Sequence, residues 1–277
     1  MNILSGTSAL IPLPEFSLSS GRHDAVRNAG LRRFGISEAD LSADFSSADR
    51  AALATYLLES CIVDPAGVLP AGFFRELSIG KRIECLLVLA AGGPETSLGF
   101  PFKCAGCNEE IELELTLQEI SMLQSEADQV EVVGLDIRGR RLEFRKPTGR
   151  DQELWAGLVV RNERSLAAEL TETLAVSQEV IENIEPEDLS AIEAAMLEAD
   201  PLVDFTCSVN CGECGEDNKY AIDLMETALG MLNRAQSQLV IMIHRLASHY
   251  HWNEKEIFSV PHWRRKQYLE LIGAVRK

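Results

Sequence analysis

Two stretches decide the fold: residues 100–115, F-P-F-K-C-A-G-C-N-E-E-I-E-L-E-L, and residues 202–224, L-V-D-F-T-C-S-V-N-C-G-E-C-G-E-D-N-K-Y-A-I-D-L. Each reads as strand, tight turn, strand, with a C-x-x-C pair at the turn. In the first, Ile111, Leu113 and Leu115 alternate with Glu110, Glu112 and Glu114, the period-two pattern of a half-buried strand. Two residues between paired cysteines let one turn aim both sulfurs at a single point. The residue after the second cysteine then needs positive φ. Gly215 adopts it without strain, and Asn108 is the next-best residue for that conformation.

Thiolate-bound zinc takes four sulfurs in a tetrahedron. The two pairs therefore predict one structural Zn2+ per chain, held by Cys104, Cys107, Cys211 and Cys214. Ordinary ribbons separate their knuckles by about 20 residues. Here 103 residues lie between Cys107 and Cys211, so a whole subdomain is inserted. Two incomplete sites, or thiols without metal, are the alternatives. Cys207 reads as a strand thiol, and Cys61 and Cys85 lie on apolar helical faces and read as core.

Four cysteines leave a zinc ion no open position for catalysis. The chain has no H-E-x-x-H, no H-x-E ahead of either pair, no glycine-rich phosphate loop and no G-x-S-x-G. The reading is non-enzymatic, with no small-molecule substrate. His244, His249, His251 and His262 sit near the C-terminus without ligand spacing and read as solvated or capping.

The net charge of -17 is unevenly placed. Fourteen acidic residues and no Lys or Arg fall between Arg164 and Lys219, whereas the last 34 residues carry seven Lys or Arg against three Glu. An acidic body repels phosphate backbones, which argues against broad nucleic-acid binding. No apolar run is long enough to span a membrane. Pro12 and Pro14 break what a signal peptide would need, so a cytoplasmic protein with reduced thiols is expected.

The expected class is α+β: a small zinc ribbon of two distant hairpins, surrounded by helices, with a helical C-terminal module. Residues 1–45 read as an extended arm with a short strand near Leu10 and Ile11. Residues 46–223 read as the body, with an inserted acidic helical segment over 150–200, and 224–277 as the C-terminal module. Helices are predicted from about Ser46, with Leu53, Tyr56 and Leu57 on one face. Others are predicted from Leu77 to Ala91 and from Thr148 through Trp155 and Leu158. Residues 165–198 carry more, with starts at Ser177 and Pro186, and a long helix runs from Leu224 to Tyr250. A further hairpin turns at Gly139. Asn253 with Glu256 forms a capping-box pattern, and Pro261 opens the last helix. The aromatics Tyr250, Trp252, Phe258, Trp263 and Tyr268 read as a small core or a docking surface.

The C-terminal run I-H-R-L-A-S-H-Y-H-W-N-E-K-E-I-F-S-V-P-H-W-R-R-K-Q-Y-L-E-L-I resembles a signature of contractile-tail proteins. It falls on Leu246, Ala247, Tyr250, Trp252, Glu254, Glu256, Ile257, Arg264, Arg265, Tyr268 and Leu269. Also similar are the P-x-G-R-D segment at Pro147–Asp151, the E-x-D-P-L segment at Glu198–Leu202, and the cysteine pairs. Together, over residues 75–277, the chain resembles the zinc-ribbon-bearing branch of the T-even phage baseplate hub and hub-assembly family. It departs from that branch's C-P-x-C-G at Ala105 and Asn108.

The resemblance implies a structural or chaperone-like assembly role in a phage or contractile injection-system baseplate, with other tail or hub proteins as partners. Tyr250, Trp252, Trp263, Arg264, Arg265 and Tyr268 are the candidate partner-binding residues. The competing reading is a zinc-ribbon nucleic-acid-binding or transcription-associated protein.

Overall fold

The computed structural model describes residues 10–16, 29–93, 95–157, 171–176 and 185–274. Nine strands and eight helices are labelled in chain order among them. A minimal sheet joins β1 (Ile11–Pro12), β2 (Gly30–Leu31) and β3 (Ile62–Val63), all antiparallel. Helix α1 (Arg50–Cys61) starts on an Asp49 cap, a few residues later than the composition suggests. Its buried face is Leu53, Ala54, Leu57, Leu58 and Cys61. Tyr56, expected on that face, is at the surface, where its hydroxyl donates to the Ala39 carbonyl at 2.9 Å.

Helix α2 (Ile79–Ala91) is the axis of the main core. Ser78 caps its start by accepting from the Lys81 N–H, and Gly92 ends it at φ 81°. Every residue from Ile79 to Leu89 is buried, because α1, α3 (Leu117–Ala127) and α6 (Leu224–Tyr250) pack around it. Three of those residues are charged, and each is partnered. Lys81 Nζ bridges Glu84 and Asp128 at 2.8 Å each. Arg82 donates to the Ala51 carbonyl (2.9 Å), Thr55 Oγ1 (2.6 Å) and Gln152 Oε1 (3.1 Å). Burying such ions unpaired would cost several kcal/mol each, so these contacts are a condition of the packing.

Two antiparallel hairpins carry the cysteine pairs: β4 (Ser97–Lys103) with β5 (Glu110–Thr116), and β8 (Phe205–Asn210) with β9 (Asp217–Ile222). Leu98, Phe100, Phe205 and Ile222 turn into the main core, while Glu110, Glu112 and Glu114 face solvent, as the alternation predicts. Between them lies a third hairpin, β6 (Val132–Ile137) with β7 (Arg140–Arg145), turning at Arg138 and Gly139, both at positive φ. It packs Ile137, Leu142 and Phe144 against Leu174 and against Ile192 of α5 (Pro186–Ala199), a second small core.

The motif segments of the sequence dock on α2. Thr148 and Asp151 form a capping box that starts α4 (Gly149–Ala156). Arg145 grips Asp151 through both guanidinium nitrogens at 2.6 and 2.7 Å. Asp200 accepts the Gly80 N–H at 2.8 Å and a bond from Gln124 at 3.1 Å. The predicted helix position Leu158 and the helix start at Ser177 lie outside the described residues.

Helix α6 belongs to two cores. Leu224, Ala228, Leu229 and Leu232 join the main one. Leu239, Ile243 and Leu246 join a third core with Ile257 of α7 (Glu254–Ser259) and Ile272 of α8 (His262–Ala274). Gln236 ties α6 to the carbonyls of Asp40 and Ala43 at 2.8 Å each.

Gly80→Ala puts propensity against packing. Alanine is favoured over glycine in a helix by about 1 kcal/mol, but its Cβ would lie 2.1 Å from Asp200 Oδ1 and 2.6 Å from Gln124 Oε1. Both partners are buried, so the variant is expected to lose roughly 1–3 kcal/mol in urea unfolding.

Asp151 supplies a pH-dependent contribution. Burial opposes its charge, but Arg145 and Thr148 outweigh that and hold the carboxyl below the usual carboxylate range. The stabilisation is present above the unfolded value of about 3.9 and is lost as pH falls through the lower folded value. Asp151→Asn is expected to cost roughly 1–2 kcal/mol near neutrality, because Arg145 is half-exposed and keeps its bonds to the Lys146 and Thr173 carbonyls. The difference from the parent, read by denaturant titration, should shrink below about pH 4.

Candidate metal centre

Each knuckle is a turn closed by its own backbone. Cys104 N–H donates to the Glu109 carbonyl at 2.8 Å and Asn108 N–H to the Cys104 carbonyl at 2.9 Å. The second knuckle repeats both bonds, Cys211 to Glu216 at 2.8 Å and Gly215 to Cys211 at 2.9 Å. Asn108 has φ 62° and Gly215 φ 76°, the left-handed conformation the sequence requires there. Ala105 and Asn108 thus build a knuckle with the same bonds as its partner.

The turns face one another and bring the sulfurs together. Cys104 Sγ lies 3.6 Å from Cys214 Sγ, and Cys107 Sγ 3.7 Å from Cys211 Sγ. All four sulfurs lie within 4.8 Å of one another. A zinc–thiolate bond of about 2.3 Å sets the edge of a sulfur tetrahedron near 3.8 Å, so the donor set and its spacing fit one such ion. Cys104 and Cys211 are buried beneath the turns; Cys107 and Cys214 are exposed above them. The remaining cysteines stay apart: Cys61 and Cys85 are fully buried in the main core, and Cys207 lies on β8 with its thiol towards the Tyr220 carbonyl at 3.6 Å. Among the described residues no second cluster of this kind forms.

The thiols are electrostatically unequal. The Cys107 N–H, and after it Gly106, Asn218 and Cys214, pull Cys104 down to about 6. Cys107 is favoured by the Glu109 N–H, but Cys214, Cys211 and Cys104 outweigh it and push the thiol up to about 12. A metal ion removes this conflict, because its charge stabilises four thiolates at once.

Across the interface the hairpins also touch without any metal. Phe102 and Tyr220 stack with centroids 4.0 Å apart at 5°, and the Tyr220 hydroxyl donates to the Lys103 carbonyl at 2.9 Å. Asn218 accepts the Ala105 N–H at 2.8 Å. Sequence reading missed Asn218 because a lone asparagine in a polar turn carries no spacing signal.

The candidate docking residues separate into two groups. Tyr250, Trp252 and Tyr268 pack together with centroid distances of 4.8 to 5.3 Å and cover the third core. Trp263 is 56% exposed, and Arg264 is exposed with its guanidinium over the Tyr268 ring. Arg265 is not part of that surface: it is buried, lies over Phe258 and donates to the Ile36 carbonyl at 2.7 Å. Its position on the inner side of α8 turns it from a candidate contact into a tie between α8 and the body.

Fold and site together define an α+β scaffold protein closed by a four-cysteine cluster able to hold a metal. The family model described as T4 bacteriophage base plate protein matches residues 46–229, and the chain belongs to that family. Membership suggests a structural role in a phage baseplate. The matched span includes both cysteine pairs and the segments at 147–151 and 198–202; it begins earlier than residue 75 and ends before the C-terminal run. No curated protein and no solved structure matches the chain.

Thiolates must shed their protons to bind metal, so zinc uptake is expected to release roughly two to four protons per ion near neutrality and to tighten as pH rises. Calorimetry in buffers of different ionisation enthalpy measures that number.

Proposed function

We propose that the protein is a non-enzymatic structural or assembly factor of a contractile-tail baseplate or hub, closed by one structural zinc on Cys104, Cys107, Cys211 and Cys214. The observation that carries the reading is the convergence of these four sulfurs from two stretches far apart in the family-matched span. A tetrahedron filled by protein ligands leaves no position for substrate, which suits a structural ion. The zinc-ribbon-bearing hub or hub-assembly branch is the finer assignment that both the motifs and the cluster support.

In this reading residues 46–223 are the scaffold and the C-terminal helices offer the docking surface. From Thr227 to Asn253 α6 and its exit carry no acidic residue, and Val240 and Ile241 stand exposed on it. Trp263, Arg264 and Leu271 add an exposed apolar and basic face on α8. Such a face suits protein partners of the tail.

The test combines metal analysis with co-purification. One zinc per chain with roughly three reactive thiols left over is expected, together with retention of tail or hub proteins. Cys104→Ser or Cys211→Ser should leave the chain aggregating or with a sharply lowered melting temperature. Two metals per chain, or normal melting in both variants, would count against the shared site. Salt-sensitive retention of DNA or RNA in place of tail proteins would favour the nucleic-acid reading.

A further inference from the structure

The two knuckles are near repeats, but one position breaks the symmetry. Seven residues after the first cysteine of each pair stands Ile111 in the first hairpin and Asn218 in the second. Asn218 is 4% exposed and uses both ends of its amide. Its Oδ1 accepts the Ala105 N–H of the opposite knuckle at 2.8 Å. Its Nδ2 donates to the Glu216 carbonyl of its own turn at 2.9 Å, lies 3.5 Å from the Val209 carbonyl, and points at Cys104 Sγ at 3.6 Å. One side chain thus touches its own turn, the backbone of the other knuckle, and a sulfur of the cluster.

We propose that Asn218 is the positioning residue of the metal centre, docking the first knuckle onto the second before metal arrives and donating to the Cys104 thiolate afterwards. The proposal rests on the reading of the four cysteines as one zinc site. Its docking half does not need the metal. The bond to Ala105 fixes the turn that carries Cys104 and Cys107, so those sulfurs meet Cys211 and Cys214 at little further cost in ordering. The donor aimed at Cys104 disperses charge from a site that places four thiolates on one dication. Outer partners of this kind typically change metal affinity 10–100-fold when removed. Isoleucine at the matching position of the first hairpin supplies neither bond, so the clamp is one-sided. Tyr220, two residues further along β9, reinforces it through Lys103.

Two variants separate the two halves. Asn218→Leu removes both bonds at similar volume, and Asn218→Asp keeps the acceptor for Ala105 while losing the donor to sulfur. Three measurements apply: zinc affinity by chelator competition, the sulfur-to-cobalt charge-transfer band of the cobalt-loaded protein, and Ala105 amide exchange in metal-free protein. Asn218→Leu is expected to weaken zinc about 10–100-fold and to speed Ala105 exchange. Asn218→Asp is expected to keep Ala105 protected yet weaken zinc and shift the cobalt band. Zinc affinity within twofold of the parent in both variants, with an unshifted band, overturns the proposal. A parent protein that takes up no zinc defeats the metal reading, while Ala105 exchange still decides whether Asn218 docks the knuckles.

Discussion

Two turns separated by 103 residues must meet to within a few ångströms, and the rest of the body is arranged around that closure. The length-dependent entropy of closing such a loop is about 4 kcal/mol. A zinc ion held by the four thiolates would supply about 10–16 kcal/mol at neutral pH, more than that cost. The closure is shared with metal-independent contacts: the Phe102–Tyr220 stack, the Tyr220–Lys103 bond and the Asn218–Ala105 bond all cross the same interface. The inserted elements use the closed loop as a frame. Helix α3 continues directly from β5 through the Thr116–Glu119 capping box, and α5 returns the chain through Asp200 to β8.

Helix α2 is where those inserted elements are fastened. It buries Lys81, Arg82 and Glu84 together with its apolar residues; Glu84 pairs with Lys81 on the helix itself, while Lys81 and Arg82 reach other elements. Asp128 comes from the end of α3, Gln152 from α4, and Ala51 and Thr55 from α1. Gly80 and Gly149 allow close approach at opposite sides: a Cβ at either would strike a buried polar group, Asp200 at 2.1 Å or Arg82 at 2.0 Å. The segments that carry the family resemblance at 147–151 and 198–202 are therefore fastening points of the scaffold. Their residues act through packing and charge pairing at α2, some distance along the chain from the cysteines they help to align.

How much of this was legible follows from what each signal depends on. The cysteine cluster was readable because C-x-x-C spacing and the positive-φ residue after each pair are local properties, and Asn108 and Gly215 behave as required. The hairpin at Gly139, the Asn253 cap and the bounds of α6 were readable for the same reason. Burial of Lys81, Arg82 and Glu84 was not, since their partners are brought in by tertiary structure and periodicity marks only the apolar face. Tyr56 was misplaced because a single helical turn does not fix which side of a broad apolar stripe faces solvent. The burial of Arg265 was hidden for a related reason: its neighbours Arg264 and Lys266 are exposed, and only the packing of α8 turns it inward.

Membership in the base plate protein family suits a structural role, and the four-sulfur geometry is the centre a metal could occupy. X-ray absorption at the zinc edge of the protein as purified tests that centre most directly. The account predicts one shell of four sulfurs at about 2.3 Å and no metal–metal vector. Nitrogen or oxygen in the first shell, or a second metal nearby, would contradict the shared four-cysteine site.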